Sequence, residues 1–256
     1  STDLPVASLP IEETVLDNVA WHSLNGPLAR FAERASDPEG SPAVALRFDP
    51  EVGVFGAVDR LDAASWRALA RLLGVGGSCA LNRPVVPPPP VGWQELVRIP
   101  LFQMVAESLI ERTSFDFEQL GPDDADDMLA LATLTEPGPF LARTPELGRF
   151  VGVRREGRLV AMAGQRIRAP GFVEVSAVCT HPDARGEGLG GALTLEIAHD
   201  IRARGDLPIL HVAQANESAV RLYRKLGFRI RSSPEVVIVQ WCDDGLAPDV
   251  ARGNSD

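Results

Sequence analysis

The chain has 256 residues and 45% hydrophobic content, which fits one large folded domain or two modest ones and excludes an unfolded chain. With 25 Lys and Arg against 35 Asp and Glu, its net charge of −10 argues against a nucleic-acid partner, since phosphate binding needs a basic face, and favours a cationic small molecule. No apolar run approaches the roughly 20 residues that span a bilayer, so no membrane partner is expected.

Cys79, Cys179 and Cys242 are odd in number and far apart, as in a reducing compartment, and the first residues lack a basic stretch followed by an apolar run. The expectation is a cytoplasmic protein. His22, His181, His199 and His211 have no zinc-site spacing to each other or to a cysteine, so no metal is expected. Lys225 is the one lysine and Tyr223 the one tyrosine. GC-rich codon usage accounts for the first, but ten Phe residues make the second harder to dismiss.

In chain order, Pro42 to Phe48 and Glu51 to Val58 read as strands around Asp49-Pro50. Asp62 reads as the N-cap of a helix through Trp66 to Leu73 that ends at Gly74. The prolines at 84 and 87–90 cannot join a helix or a central strand, so residues 1–92 read as an N-terminal α/β segment ending in a spacer. Residues 93–114 read as a connection. A denser pattern follows over 115–242, and a polar tail over 243–256.

Within that pattern, Phe115 to Leu120 reads as a short strand, and Gly121-Pro122-Asp123-Asp124 opens a helix carrying Met128, Leu129, Leu131 and Leu134. Thr135 to Phe140 reads as loop. Phe150 to Arg155 and Arg158 to Arg166 form a hairpin around Glu156-Gly157, followed by a strand from Phe172 to Thr180. A helix from Gly188 to Arg204 aligns Leu189, Leu193, Ile197 and Ile201 in one stripe. Then come a strand from Ile209 to Val212, a helix from Ser218 to Leu226 stopped by Gly227, and a strand from Val236 to Trp241.

The most informative stretch joins the strand ending at Thr180 to the next helix. Glycines at 186, 188, 190 and 191 let the backbone approach a ligand, and a helix N-terminus offers unpaired N–H groups to phosphate oxygens. Arg185 adds a fixed charge, so the stretch reads as a pyrophosphate cradle. Gly186, Gly188 and Gly191 satisfy G-x-G-x-x-G, but the glycines start too far from the strand end, and the next strand ends in His211-Val212-Ala213 rather than an acidic residue. No Gly-Lys-Ser/Thr is present for a P-loop.

Arg185-Gly-Glu-Gly-Leu-Gly190 resembles the R/Q-x-x-G-x-G/A motif of the GCN5-related N-acetyltransferases, the GNAT superfamily. Downstream, Asn216 to Phe228 resembles its N-x-x-A-x-x-L-Y-x-x-x-G-F segment. The resemblance covers about residues 115 to 242, and its Cys-Thr-His-Pro wording is similar to the FR47-like branch. It implies an α/β fold with a mixed, mostly antiparallel sheet flanked by helices. It also implies an acyl-CoA N-acyltransferase using acetyl-CoA or another acyl-CoA, an amine-bearing small molecule or peptide as acceptor, and a pantetheine arm between two splayed strands. Residues 1 to about 110 would then be a degenerate companion half that shapes the acceptor pocket.

By that resemblance, backbone groups of Val178, Cys179 and Thr180 would contact the acyl and pantetheine portion. Arg185, Gly186, Glu187, Gly188, Leu189, Gly190 and Gly191 would hold the pyrophosphate, and Asn216 would contact the pantetheine amides while capping its helix. Tyr223 matches the general acid that protonates the departing thiolate; a phenol near pKa 10 suits that task, and core packing is its other reading. Strand alternation puts Glu174 on the Val178/Thr180 face, where a carboxylate could take the ammonium proton or simply be solvated. Cys179 reads as a buried hydrophobe rather than a nucleophile, and Glu136 as a solvated loop residue. A non-catalytic acyl-CoA-binding module on the same fold is the alternative function.

Overall fold

The computed structural model describes residues 13–112 and 114–243. The polar-tail expectation from 244 onward lies outside the described residues. A short helix α1 (Val19–Leu24) leads into an antiparallel three-stranded sheet, β1 (Ala32–Ser36), β2 (Val44–Phe48) and β3 (Gly56–Val58). Helix α2 (Ala63–Leu73) starts where the Asp62 side chain accepts from the Ser65 N–H, the expected cap, and stops at Gly74. The strand expected over 51–58 shrinks to β3, because Asp49 accepts from the N–H groups of Glu51, Val52 and Gly53 and closes a turn there.

The second sheet has nine strands: β4 (Ser78–Arg83), β5 (Trp93–Ala106), β6 (Glu118–Leu120), β7 (Phe150–Arg155), β8 (Arg158–Ala169), β9 (Phe172–Thr180), β10 (Leu207–Ala213), β11 (Phe228–Ser232) and β12 (Glu235–Trp241). Its order is β4-β12-β5-β10-β9-β8-β7-β6, with β11 also against β5. Every pairing is antiparallel except β9 with β10. Helices α3 (Ala125–Thr135), α4 (Leu189–Ala203) and α5 (Glu217–Leu226) flank it. This is the mixed, mostly antiparallel α/β architecture that the resemblance implies, with a smaller N-terminal sheet.

The stretch 93–114, read above as a connection, begins with the longest strand of the molecule. β5 lies in the middle of the sheet, between β10 and the β11–β12 run. Its first half carries no apolar alternation because Gln94 to Pro100 are exposed; only Leu101 to Ala106 enter the interior. β4 also pairs with β12, so the sheet continues across the 92/93 boundary.

The sheet buries apolar side chains on both faces. On one, Leu193, Ile197 and Ile201 of α4 and Val220 and Leu226 of α5 pack on Met104, Val173 and Val175. This is the expected α4 stripe, with only Leu189 at the helix start partly exposed. On the other face, α1 and the small sheet cover Ile167, Phe172 and Ile209, while α3 covers Met162, Ala177 and Cys179.

Candidate active site

The geometry of the site follows from where two parallel strands separate. β9 and β10 pair only from Leu207↔Phe172 to Ile209↔Glu174. Beyond that point β10 stays on β5 as far as Ala213↔Leu101, while β9 stays on β8 as far as Thr180↔Ala161. The ends of the two strands therefore open a gap flanked by unpaired backbone groups.

Within β9, Ala177 has φ +52°, and the register against β8 jumps from Gly164↔Ser176 to Met162↔Cys179. Three residues of β9 span two of β8, which is a β-bulge. The bulge changes which residues share a face. Val173 and Val175 pack toward α4, but past the bulge it is Val178 that does so, while Ala177 and Cys179 turn to α3. Glu174 is therefore not on the Val178/Thr180 face. The alternation behind that expectation fails because one residue is inserted between them.

Past β9, the His181 ring accepts from the Asp183 N–H and shapes the turn into the glycine loop. Gly186 and Gly188 have φ of +84° and +79°, conformations that L side chains rarely adopt. The first bond within α4 runs from the Ala192 N–H to the Gly188 carbonyl, so the N–H groups of Leu189, Gly190 and Gly191 precede the helix ladder. A Cβ on Gly190 would lie 3.4 Å from Thr180 Oγ1 and 3.6 Å from Val178 Cγ1, which seats the start of α4 beside the gap. Arg185 is exposed beside the loop, its Nε donating to the Thr180 carbonyl at 3.4 Å. Glu187 is paired with Arg155. These features fit a pyrophosphate: open glycines, aligned N–H donors and a nearby guanidinium.

Tyr223 packs into the same apolar cluster as Val178 and Leu189, its ring edge-to-face with Phe228 at 6.1 Å. Burial pushes its phenol up to about 12, with Cys179 acting in the same direction. Asn216 caps α5 through its side-chain oxygen, 3.2 Å from the Ala219 nitrogen. Cys179 lies against α3, and burial pushes its thiol up to about 11, so it is a thiol rather than a nucleophilic thiolate at neutral pH. Glu136 caps the end of α3 and is exposed.

Glu174 instead belongs to a buried polar network. It is 1% exposed, and its two oxygens accept from Arg166 Nε and Nη2, each at 2.9 Å. His211 Nδ1 lies 2.8 Å from the same carboxylate, and the Gln103 amide meets His211 Nε2 at 3.1 Å. Burial alone would raise the carboxyl pKa, but the Arg166 charge and the His211 bond outweigh it and hold Glu174 well below the usual carboxylate range. Arg166 and His211 carried no local signal in the sequence. They lie 8 and 37 residues from Glu174 and meet it only through strand pairing.

The Arg166 guanidinium lies over the Phe55 ring at 5.2 Å, and Phe55 lines a cleft of about 290 Å³ with Arg47, Val54, Ile238 and Pro139. Pro139 belongs to the loop after α3. That loop is tied to the N-terminal sheet by Arg143 on Asp49 at 2.7 Å and by the Thr144 hydroxyl on the Val52 carbonyl at 2.9 Å. Among the described residues, no group of three or more His, Cys, Asp or Glu side chains could hold a metal, and no helix is long and apolar enough to cross a membrane.

Known proteins share this arrangement. Residues 150–237 match the FR47-like protein family. A solved structure of a GNAT-family protein from Novosphingobium aromaticivorans is 38% identical, with a TM-score of 0.79 over 88% of this chain and 98% of that one. A GCN5-related N-acetyltransferase from Kribbella flavida shares the fold at 21% identity, with a TM-score of 0.59 over 87% and 93% of the two chains. Mycothiol acetyltransferase of Mycobacterium sp. strain MCS is 31% identical over 182 residues, which is 65% of this chain and 58% of that protein. Mycothiol acetyltransferase of Thermomonospora curvata is 42% identical over 76 residues, 29% of this chain and 25% of that protein. The chain thus spans less than two thirds of the length of these two mycothiol acetyltransferases. The chain belongs to the GNAT superfamily of acetyltransferases, and the match at 150–237 places an FR47-like domain over its glycine loop and Tyr223.

Proposed function

We propose that the protein transfers an acetyl group from acetyl-CoA to a primary amine by direct attack. The observation that carries this reading is the convergence of three features on one face: the gap between β9 and β10, the glycine cradle at the start of α4, and the half-buried side chain of Tyr223. Leu189, Gly190 and Gly191 would hold the pyrophosphate through their N–H groups, with Arg185 beside them. Val178 and Thr180 would contact the pantetheine arm through their backbone, and Asn216 would border it.

The neutral amine attacks the thioester carbonyl, forming a C–N bond. Backbone N–H groups of the bulged strand around Val178 stabilise the developing oxyanion, and the C–S bond breaks as Tyr223 gives its proton to the sulfur. The attacking nitrogen then gives up its extra proton, which returns through water to the phenolate. The amine must first lose a proton, and Glu174, paired with Arg166 and His211, is a weak base in the arrangement observed. The acceptor enters from the opposite face, through the cleft between Phe55 and Pro139, so the N-terminal sheet takes part in acceptor selection. The name carried by the longer relatives places the substrate of mycothiol acetylation among the first amines to try.

The cradle is tested by Gly188→Asp. A side chain at φ +79° strains the loop, and the carboxylate repels phosphate, so acetyl-CoA binding by calorimetry is expected to disappear while circular dichroism stays native. Wild-type affinity in that variant would refute the assignment.

A further inference from the structure

The polar cleft beside the cradle has the chemistry of a second anion site. It measures about 440 Å³ and lies between the turn joining β7 to β8 and the turn that leads into the glycine loop, lined by Arg155, Glu156, Arg158, Val160, Asp183 and Ala184. Each of its arginines is held in an ion pair. Arg155 Nη1 meets Glu187 Oε1 at 2.7 Å, with a second contact between Arg155 Nη2 and Glu187 Oε2, and Arg158 Nη2 lies 3.4 Å from Asp183 Oδ2. Glu187 belongs to the cradle and Asp183 to the turn just before it, while Arg155 ends β7 and Arg158 begins β8.

We propose that Arg155 and Arg158 form a binding site for a phosphomonoester, and that its occupant is the 3′-phosphate of coenzyme A; this rests on the acyl-CoA reading above. The backbone donors of Leu189 to Gly191 suffice for a pyrophosphate, but coenzyme A carries a third phosphate on the same nucleotide, a short distance from that pyrophosphate. In a chain of net charge −10, a dianion needs local cations. The two arginines supply them at the edge of the cradle, facing one cleft.

Their present partners do not prevent this. The side chains of Arg155 and Glu187 are 47% and 41% exposed, and those of Arg158 and Asp183 are 59% and 70% exposed. Exposed pairs of this kind contribute little stability, so they exchange readily. A phosphomonoester offers more charge than one carboxylate and three acceptor oxygens, and guanidinium groups bind it through paired, charge-assisted bonds. Glu187 and Asp183 thus hold the arginines at the cleft until the nucleotide arrives.

The test compares coenzyme A with 3′-dephospho-coenzyme A by calorimetry, for the wild type and for Arg155→Ala/Arg158→Ala. The wild type is expected to bind coenzyme A at least roughly tenfold more tightly. In the double variant this ratio should collapse to within about twofold, while dephospho-coenzyme A still binds and so reports an intact fold. Adenosine 3′,5′-bisphosphate should displace coenzyme A from the wild type better than adenosine 5′-phosphate does. Equal affinities in the wild type, or a preference that survives in the double variant, would overturn the site while leaving the acyl-CoA reading intact. Failure of the wild type to bind either compound would overturn both.

Discussion

Tyr223→Phe is expected to lower turnover with acetyl-CoA by roughly a hundredfold or more, the range for loss of a positioned general acid. Acetyl-CoA affinity should stay within about twofold, because removing a group that acts only in the transition state leaves ground-state binding in place. The phenol is suited to this role by its burial. With its pKa pushed up to about 12, it remains protonated throughout the physiological range and into alkaline solution. An unburied phenol would start to lose its proton near pH 10. The wild-type rate should therefore show no decline from tyrosine ionisation below about pH 10. Because Tyr223 is the one tyrosine of the chain, phenolate absorbance follows its titration directly. A midpoint near the ordinary value would show that burial does not raise the phenol, and turnover unchanged in the variant would remove its acid role.

The largest expected loss of stability comes from Arg166→Ala. The Arg166 side chain is 14% exposed and Glu174 is 1% exposed, so deletion leaves a buried carboxylate with only His211 beside it. Breaking a buried pair in this way costs roughly 3–5 kcal/mol, measured by denaturant unfolding at neutral pH. The sign of the pH dependence follows from the depressed pKa of Glu174. Its contribution is fully present above the ordinary glutamate value of 4.5 and is lost as pH falls toward the lower value of the folded protein. In the variant, burial is no longer outweighed, so Glu174 protonates more readily, and the gap to the wild type should narrow below about pH 4.5. A gap that is small at pH 7 would show that Arg166 is not what offsets the buried charge.

The elements legible in the sequence are those whose ends and faces carry their own chemistry. Asp62 and Gly74 bracket α2, Asn216 and Gly227 bracket α5, and the stripe from Leu189 to Ile201 sets the buried side of α4. The strand Phe172–Thr180 is legible because turns flank it. β5 is not, since its exposed first half lacks the period of a half-buried strand and its place in the sheet depends on partners more than 100 residues away.

The same distinction runs through the site. The cradle is local, so its glycines and Arg185 could be read from consecutive residues. Glu174 is not, because a single inserted residue at Ala177 reverses the face on which the rest of the strand lies. Its partners come from β8 and β10, and only the three-dimensional pairing reveals that its carboxylate is already committed.

Acceptor-dependent release of free thiol from acetyl-CoA tests acyl transfer most directly. The assay is run across amino acids, polyamines, aminoglycosides, peptides and the substrate of mycothiol acetylation, with Tyr223→Phe in parallel. The predicted result is thiol release that requires one class of amine, yields its N-acetyl product by mass spectrometry and falls by roughly a hundredfold in the variant. Tight binding of acetyl-CoA without thiol release for any amine, unaltered by loss of Tyr223, would contradict it and identify a binding module instead of an enzyme.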